Sequence, residues 1–140
     1  MKILVAVDGS DISLRAVKYA IQLSGKLAEP AKLTLLAVDP PLFPGVEKKI
    51  GSAAAQRLHD DNHEHMLAPA RRALARAKLE AIERPEIGEI AETILAVAHK
   101  PRADMIVMGS HGRTAVKGVL LGSVSSKVIA QTDIPVTIVR

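Results

Sequence analysis

Glycine and basic residues cluster in one segment of the chain, and their types and spacing suit the binding of an anion. Four of the nine glycines fall in the stretch GSHGRTAVKGVLLGS, residues 109–123. Gly109 follows an apolar run, where a turn with positive φ costs least without a Cβ. Gly112 permits a second bend, which would expose successive main-chain N–H groups in a concave nest. These two glycines therefore predict a cradle for a negatively charged group.

The same segment ends where a helix is expected to begin. Gly122 and Ser123 precede a helical pattern, and the first N–H groups of a helix lack partners and favour negative charge. Ser123 would either cap this helix or bind a phosphate oxygen directly, while His111, Arg113 and Lys117 would add charge. An alternative is purely structural: the glycines only turn the chain and Ser123 only caps. Neither the P-loop spacing nor the G-x-G-x-x-G fingerprint occurs in the chain.

The elements that must position this segment alternate between strands and helices. Apolar runs predict five buried strands, which are Ile3–Val7, Leu33–Val38, Leu79–Ile82, Ala103–Met108 and Pro135–Val139. Helical spacing and capping residues predict four helices between these strands. They are Leu14–Ser24, with a C-cap at Gly25, the long helix Ser52–Lys78, Gly88–Lys100 and Ser123–Gln131. Pro69 should kink or split the long helix near His65–Ala68. Three prolines and two glycines make Asp39–Gly51 a predicted loop.

This alternation predicts an α/β fold with a five-stranded parallel sheet and helices on both faces. The simplest order is 3-2-1-4-5, since crossovers are right-handed and the chain must reverse once along the sheet. Ligands in such sheets bind beyond the carboxyl ends of the strands at this reversal. The loops there would be Asp8–Ser10 and Gly109–His111. We find no second-domain boundary and expect one domain over residues 1–140.

Composition narrows the class of partner. The net charge is +4, but the aromatic residues are only Tyr19 and Phe43, so the stacking platforms of a single-stranded nucleic-acid binder are missing. No apolar run approaches the ~20 residues of a membrane span. The opening MKILVAVDGS reads as a strand rather than as an export signal. We therefore expect a cytoplasmic protein that binds neither nucleic acid nor membrane.

Other polar residues are more simply explained by structure than by chemistry. HDDNHEH, residues 59–65, places His59 and His63 four residues apart on one helix face. Zinc needs three or four convergent ligands, so a solvated polar face is the preferred interpretation. His99 would interact with a helix C-terminus, and Asp104 would be structural.

The spacing G-x2-G-x9-G-S resembles the nucleotide-binding motif of the universal stress protein family. The resemblance runs the full length of the chain: MKILVAVDGS resembles the family's first strand, LTLLAVDP its second, GEIAETILAVAHKPRADMIVMGSHG its third helix and fourth strand, and LLGSVSSKVIAQTDIPVTIVR its ending. The resemblance implies a Rossmann-like fold of the adenine nucleotide alpha hydrolase type. It also implies that the chain binds ATP, or AMP or ADP, because members that keep the glycine pattern generally bind ATP.

The family's binding residues transfer to thirteen positions. Asp8 would contact the ribose or a nucleotide-bound Mg²⁺, Ser10 a phosphate, and the main chain of Val38 the adenine. The complete set is Val7, Asp8, Gly9, Ser10, Val38, Met108, Gly109, His111, Gly112, Arg113, Gly122, Ser123 and Val124. His111 and Arg113 vary within the family. Gly118, an extra glycine in the x9 stretch, and Pro69, together with Asp39–Gly51, depart from the pattern.

The predicted function is a nucleotide-dependent stress-response binding or signalling protein with little or no turnover and no assigned catalytic residue. The apolar last strand, residues 135–139, would leave an open edge, and the resemblance implies that it pairs with its twin in a homodimer. Two alternatives stay open. One is an interaction module with a vestigial nucleotide loop, and the other is a slow Mg-dependent ATPase.

Overall fold

A computed structural model of the protein describes residues 1–113, 117–118 and 120–140. The elements in chain order are β1 (Lys2–Val7), α1 (Asp11–Ser24), β2 (Lys32–Asp39), α2 (Val46–Ile50), α3 (Ser52–Ala77), β3 (Ala81–Ile87), α4 (Ile90–His99), β4 (Met105–Gly109), α5 (Ser123–Gln131) and β5 (Val136–Val139). None of the helices described here has the length and apolar character needed to cross a membrane.

The five strands form one parallel sheet in the order β3-β2-β1-β4-β5. This confirms the predicted fold class and strand order. β1 is central, with Ile3 beside Leu33 of β2 on one side and beside Met105 of β4 on the other. The chain reverses between β1 and β4, so their carboxyl ends flank the switch point of the sheet.

Alternate residues of the strands point to two separate apolar layers. On one face Val5, Leu35 and Val107 pack against α1 and α3. On the other face Leu4, Leu36 and Ile106 pack against α4 and α5. Burial on both faces explains why β1, β2 and β4 read as continuous apolar runs in the sequence.

The edge strand β3 and the short helix α2 differ from the predictions. β3 runs from Ala81 to Ile87 rather than from Leu79 to Ile82, and it includes Pro85. An edge strand tolerates proline and charged residues because it has a neighbouring strand, and therefore main-chain hydrogen bonds, on one side only. The predicted loop Asp39–Gly51 contains the α2 turn, and Asp39 itself ends β2. Gly45 and Gly51, at φ +85° and +86°, flank α2. The helix has only five residues, so the spacing of its apolar residues did not predict it.

The long helix α3 is unbroken through Pro69, so the predicted split is wrong. Proline removes the N–H that would bond the carbonyl of His65, four residues earlier. The loop after β1 packs against that carbonyl, and a Cβ added at Gly9 would lie 3.0 Å from His65 O. Met66, Leu67 and the other buried residues of α3 hold the helix to the sheet on both sides of the proline.

Candidate functional site

A cleft of about 380 Å³ opens at the carboxyl ends of β2, β1 and β4, at the switch point of the sheet. The structure brings most of the predicted site residues together here. Eleven of the thirteen line the cleft: Val7, Asp8, Val38, Met108, Gly109, His111, Gly112, Arg113, Gly122, Ser123 and Val124. No side chain of the described residues fills the crevice.

The other two predicted residues, Gly9 and Ser10, lie beside the main cleft. They line an adjoining cavity of about 390 Å³ together with Asp8, His65 and Arg113. Ser10 is the N-cap of α1, where its Oγ accepts a hydrogen bond of 3.2 Å from the N–H of Ser13. Gly9 takes a φ of +82°, which only glycine adopts without strain. Both residues thus shape the turn from β1 into α1.

Gly109 and Gly112 allow close approach of neighbouring atoms and do not take a positive φ. Gly109 ends β4 and does not take a positive φ, so that prediction is wrong. A Cβ at Gly109 would lie 2.6 Å from Ile12 Cγ2 and 3.2 Å from His111 O, so a larger residue there would force α1 or the following loop to shift. Gly118 has a φ of +88°. Residues 114–116 and 119 of the x9 stretch lie outside the described part of the chain.

The beginning of α5 is held against the end of β4. The N–H of Gly122 donates to Ser110 O at 2.7 Å, and Ser125 Oγ donates to the same carbonyl at 2.9 Å. Gly122 occupies the N-cap position, so the prediction that Ser123 caps the helix is wrong. No described side chain caps this end. The first N–H groups of α5 and its dipole therefore face the cleft at Ser123 and Val124.

Asp8 and Arg113 meet at the boundary between the two cavities. Arg113 Nε donates to the main-chain carbonyl of Asp8 at 2.8 Å, while Asp8 Oδ1 accepts from the N–H of Ser10 at 2.9 Å. A Cβ at Gly112 would lie 3.2 Å from Asp8 Oδ2, so the glycine leaves room for this carboxylate. His111 Nδ1 lies 2.9 Å from Ser110 Oγ. Lys117 is exposed and is not among the described residues that line the cleft.

Away from the glycines, the cleft is lined mainly by apolar side chains. The sequence analysis did not identify most of the residues that form this part of the cleft. Residues lining the cleft but absent from the prediction are Ala6, Ser13, Leu36, Pro40, Met66, Ile90, Ile94 and Ser125. Ile90 and Ile94 come from α4, whose helical spacing showed only that one face is buried. The packing of α4 across the sheet decides which strand ends its buried face covers. The spacing of apolar residues within α4 does not indicate which strands the helix contacts.

Two of the three histidines of α3 belong to the core rather than to a solvated face, which corrects the sequence interpretation for His59 and His63, whereas His65 is exposed. His59 and His63 are both buried. His59 Nδ1 lies 2.6 Å from Asp39 Oδ2, and His63 Nε2 donates to Glu86 O at 2.9 Å. Within the described residues, no group of three or more histidines, cysteines or acidic residues is arranged to hold a metal ion. Asp8 is the one acidic residue among the described residues that line the cleft.

Asp104, just before β4, and His99, at the end of α4, have the structural contacts that the sequence suggested. Asp104 Oδ2 accepts from the N–H of Lys2 at 2.6 Å, which ties the starts of β1 and β4 together. His99 Nδ1 donates to Leu95 O at 2.7 Å in the last turn of α4. Its Nε2 lies 3.1 Å from Asp133 Oδ1, and this contact lowers the pKa of Asp133.

Fold and site together define a doubly wound α/β protein with an open cleft at its switch point, apolar at one end and lined by glycines and a helix N-terminus at the other. The chain belongs to the universal stress protein family, whose family model matches residues 1–140. It is 31% identical over 140 residues to a universal stress protein of Methanocaldococcus jannaschii, across 99% of this chain and 81% of that protein.

Solved structures share the architecture. The universal stress protein UspA from Lactobacillus plantarum superposes with a TM-score of 0.84 at 24% identity, covering 100% of this chain and 97% of that chain. A universal stress protein crystallised in complex with cAMP superposes with a TM-score of 0.75 at 28% identity, again covering 100% and 97% of the two chains.

Proposed function

We propose that this protein binds an adenine nucleotide, ATP or its shorter forms ADP and AMP, in the switch-point cleft. The observation that carries the proposal is the uncapped N-terminus of α5, held by Ser110 against the end of β4 and facing a cleft whose far wall is aliphatic. Unpaired N–H groups and the helix dipole favour phosphate, and the aliphatic wall favours a purine base. A relative of the same fold is known in complex with cAMP.

The dimensions of the sheet agree with an elongated ligand. Val38 ends the apolar wall on β2, whereas Gly109 begins the glycine loop on β4, and β1 lies between these strands. Two strand spacings correspond to roughly 10 Å. The occupant should therefore be apolar and planar at one end and anionic at the other, as a nucleotide is.

Each predicted residue has a role in this arrangement. Val7, Val38 and Met108 form the wall against the base, with the main chain of Val38 facing the adenine. Asp8 contacts the ribose or the Mg²⁺ that accompanies the nucleotide, and Ser10, from the adjoining cavity, contacts a phosphate. The phosphate end consists of Gly109, Gly112, Gly122, Ser123 and Val124, with Gly9 shaping the turn and His111 and Arg113 contributing polar groups.

The protein acts as a cytoplasmic stress-response binding or signalling protein with little or no turnover, and it forms a homodimer. β5 is the outer strand next to β4, and its residues are only half-buried. An open edge of this kind pairs readily with a second copy. Residues 135–139 would then continue the sheet across a two-fold axis.

Titration calorimetry with ATP, ADP and AMP tests the binding proposal. Gly122→Val should remove most of the heat because its side chain would crowd Ser110 O and His111 Cα, which lie 3.4 and 3.5 Å from a Cβ at this position, at the start of α5. Gly25→Val is the matched control: that glycine has an ordinary φ of −69° and lies outside the cleft. A parent protein that gives no heat with any of the three nucleotides would instead favour the interaction module.

Turnover is tested separately from binding. Phosphate release is followed with ATP and Mg²⁺ at protein concentrations equal to the nucleotide. We expect less than one phosphate per site over the time of a binding experiment. Repeated turnover that disappears in Asp8→Ala would favour the slow Mg-dependent ATPase.

A further inference from the structure

Phe43 is exposed to a degree that is unusual for its residue type. It is the chain's one phenylalanine, and 83% of it is open to solvent, although phenylalanine is normally buried. It lies in the segment PPLFPG, residues 40–45. Prolines on both sides restrict the backbone of this segment. The N–H of Val46 donates to Phe43 O at 3.1 Å, which closes the turn into α2.

This segment begins at the apolar end of the cleft. Pro40 lines the cleft beside Val38, and Phe43 follows three residues later, within roughly 10 Å of chain. The described residues that line the cleft are aliphatic, polar or glycine, and none is a phenylalanine, tyrosine or tryptophan. Tyr19, the other aromatic residue, lies on α1 and does not line the cleft.

The backbone beyond Phe43 has room to move. Gly45 and Gly51 bound α2 with φ values of +85° and +86°, and a Cβ added at either would meet no described atom within 4 Å. All five residues of α2 are at least partly exposed. A rotation about these glycines would therefore displace few packed side chains.

We propose that Phe43 stacks on the base of the bound nucleotide and covers the apolar mouth of the cleft. The inference rests on the proposed function, because it needs a ligand with a planar π-system at that end. Bases stack on aromatic side chains in many nucleic-acid-binding proteins. Phe43 would supply the outer face of the base site, while Ile90 and Ile94 remain part of its fixed aliphatic wall.

Phe43→Trp makes the test direct because the parent chain contains no tryptophan. Saturation with ATP should change the fluorescence emission of the introduced indole, whereas inorganic tripolyphosphate, which has no base, should leave it unchanged. Tyr19→Trp, on α1 outside the cleft, is the control and should respond to neither. An indole signal that ignores ATP, in a Phe43→Trp variant that binds ATP by calorimetry, overturns the inference.

Phe43→Ala provides the second measurement, and the variant should keep its core because the ring is exposed in the parent. Loss of one stacking partner should weaken ATP binding about tenfold, with the affinity for tripolyphosphate unchanged. Equal ATP affinity in parent and variant overturns the inference. Failure of the parent itself to bind ATP, ADP or AMP overturns the proposed function, and the inference with it.

Discussion

Asp39 and His59 form a buried pair that joins the end of β2 to the first half of α3. Asp39 Oδ2 lies 2.6 Å from His59 Nδ1, and each side chain is only 8% exposed. The amide of Asn62 donates to the same oxygen at 2.9 Å. Asp39 follows Val38 and precedes Pro40, both of which line the cleft. The pair therefore holds α3 beside the apolar end of the site.

His59→Ala should lower the free energy of unfolding by about 3 kcal/mol, because it leaves a buried carboxylate without its ring partner. Urea denaturation followed by circular dichroism measures the change. His65→Ala is the control on the same helix, since His65 is exposed and should alter stability by no more than about 0.5 kcal/mol. Similar stabilities for the two variants would mean that the buried pair contributes little.

Gly9→Ala should also destabilise the fold, through the backbone rather than through charge. Gly9 has a φ of +82°, and the added Cβ would lie 3.0 Å from the carbonyl oxygen of His65. The left-handed conformation alone costs an alanine about 1–2 kcal/mol. Gly25→Ala, at an ordinary φ with contacts of 3.6 Å or more, should be close to neutral. The comparison is made from urea midpoints, and a Gly9→Ala midpoint equal to that of Gly25→Ala would contradict the expected strain.

Glu89, the N-cap of α4, should make stability depend on pH. Its Oε2 accepts from the N–H of Glu92 at 2.7 Å, and this hydrogen bond, with Lys127 nearby, lowers the pKa of Glu89. Because the pKa in the folded state is below the unfolded value, the stabilisation is complete above the unfolded pKa and is lost as pH falls through the folded one. Glu89→Ala should cost about 0.5–1 kcal/mol at pH 7.

The cost of Glu89→Ala should shrink when urea unfolding is repeated at an acidic pH below the ordinary glutamate pKa of about 4.3, because protonation of the parent carboxyl removes the same stabilisation. Glu80→Ala, at an exposed position between α3 and β3, serves as the control and should change stability little at either pH. A penalty for Glu89→Ala that is the same at both pH values would show that the carboxylate charge is not responsible.

Arg113→Gln tests the charge at the glycine-lined end of the cleft, where we propose that the phosphates bind. The guanidinium is oriented by its 2.8 Å bond to Asp8 O, so its loss should weaken ATP binding about fivefold and reduce the salt dependence of that binding. The effect should decrease from ATP to AMP as phosphate charge is removed. Lys100→Gln, outside the cleft, is the control for net charge. Equal losses in the two variants would argue against a local role for Arg113.

The sheet was predictable because its central strands obey a simple physical rule. β1, β2 and β4 are buried on both faces and therefore read as continuous apolar runs, and α5 was predicted with the bounds that it has. β3 was placed several residues too early because an edge strand need not be apolar. The split at Pro69 was wrong because packing at His65 and along the buried face of α3 outweighs one missing hydrogen bond.

The sequence by itself determined the strand order, the position of the switch point and the glycines that lie there. These features depend on hydrophobic periodicity and on local backbone chemistry. Only the tertiary structure decided which side chains complete the cleft and where the histidines of α3 lie. His59 meets Asp39 across 20 residues of chain, and Ile90 reaches the cleft through the packing of α4. Such contacts are set by how whole elements pack, and no local pattern encodes them.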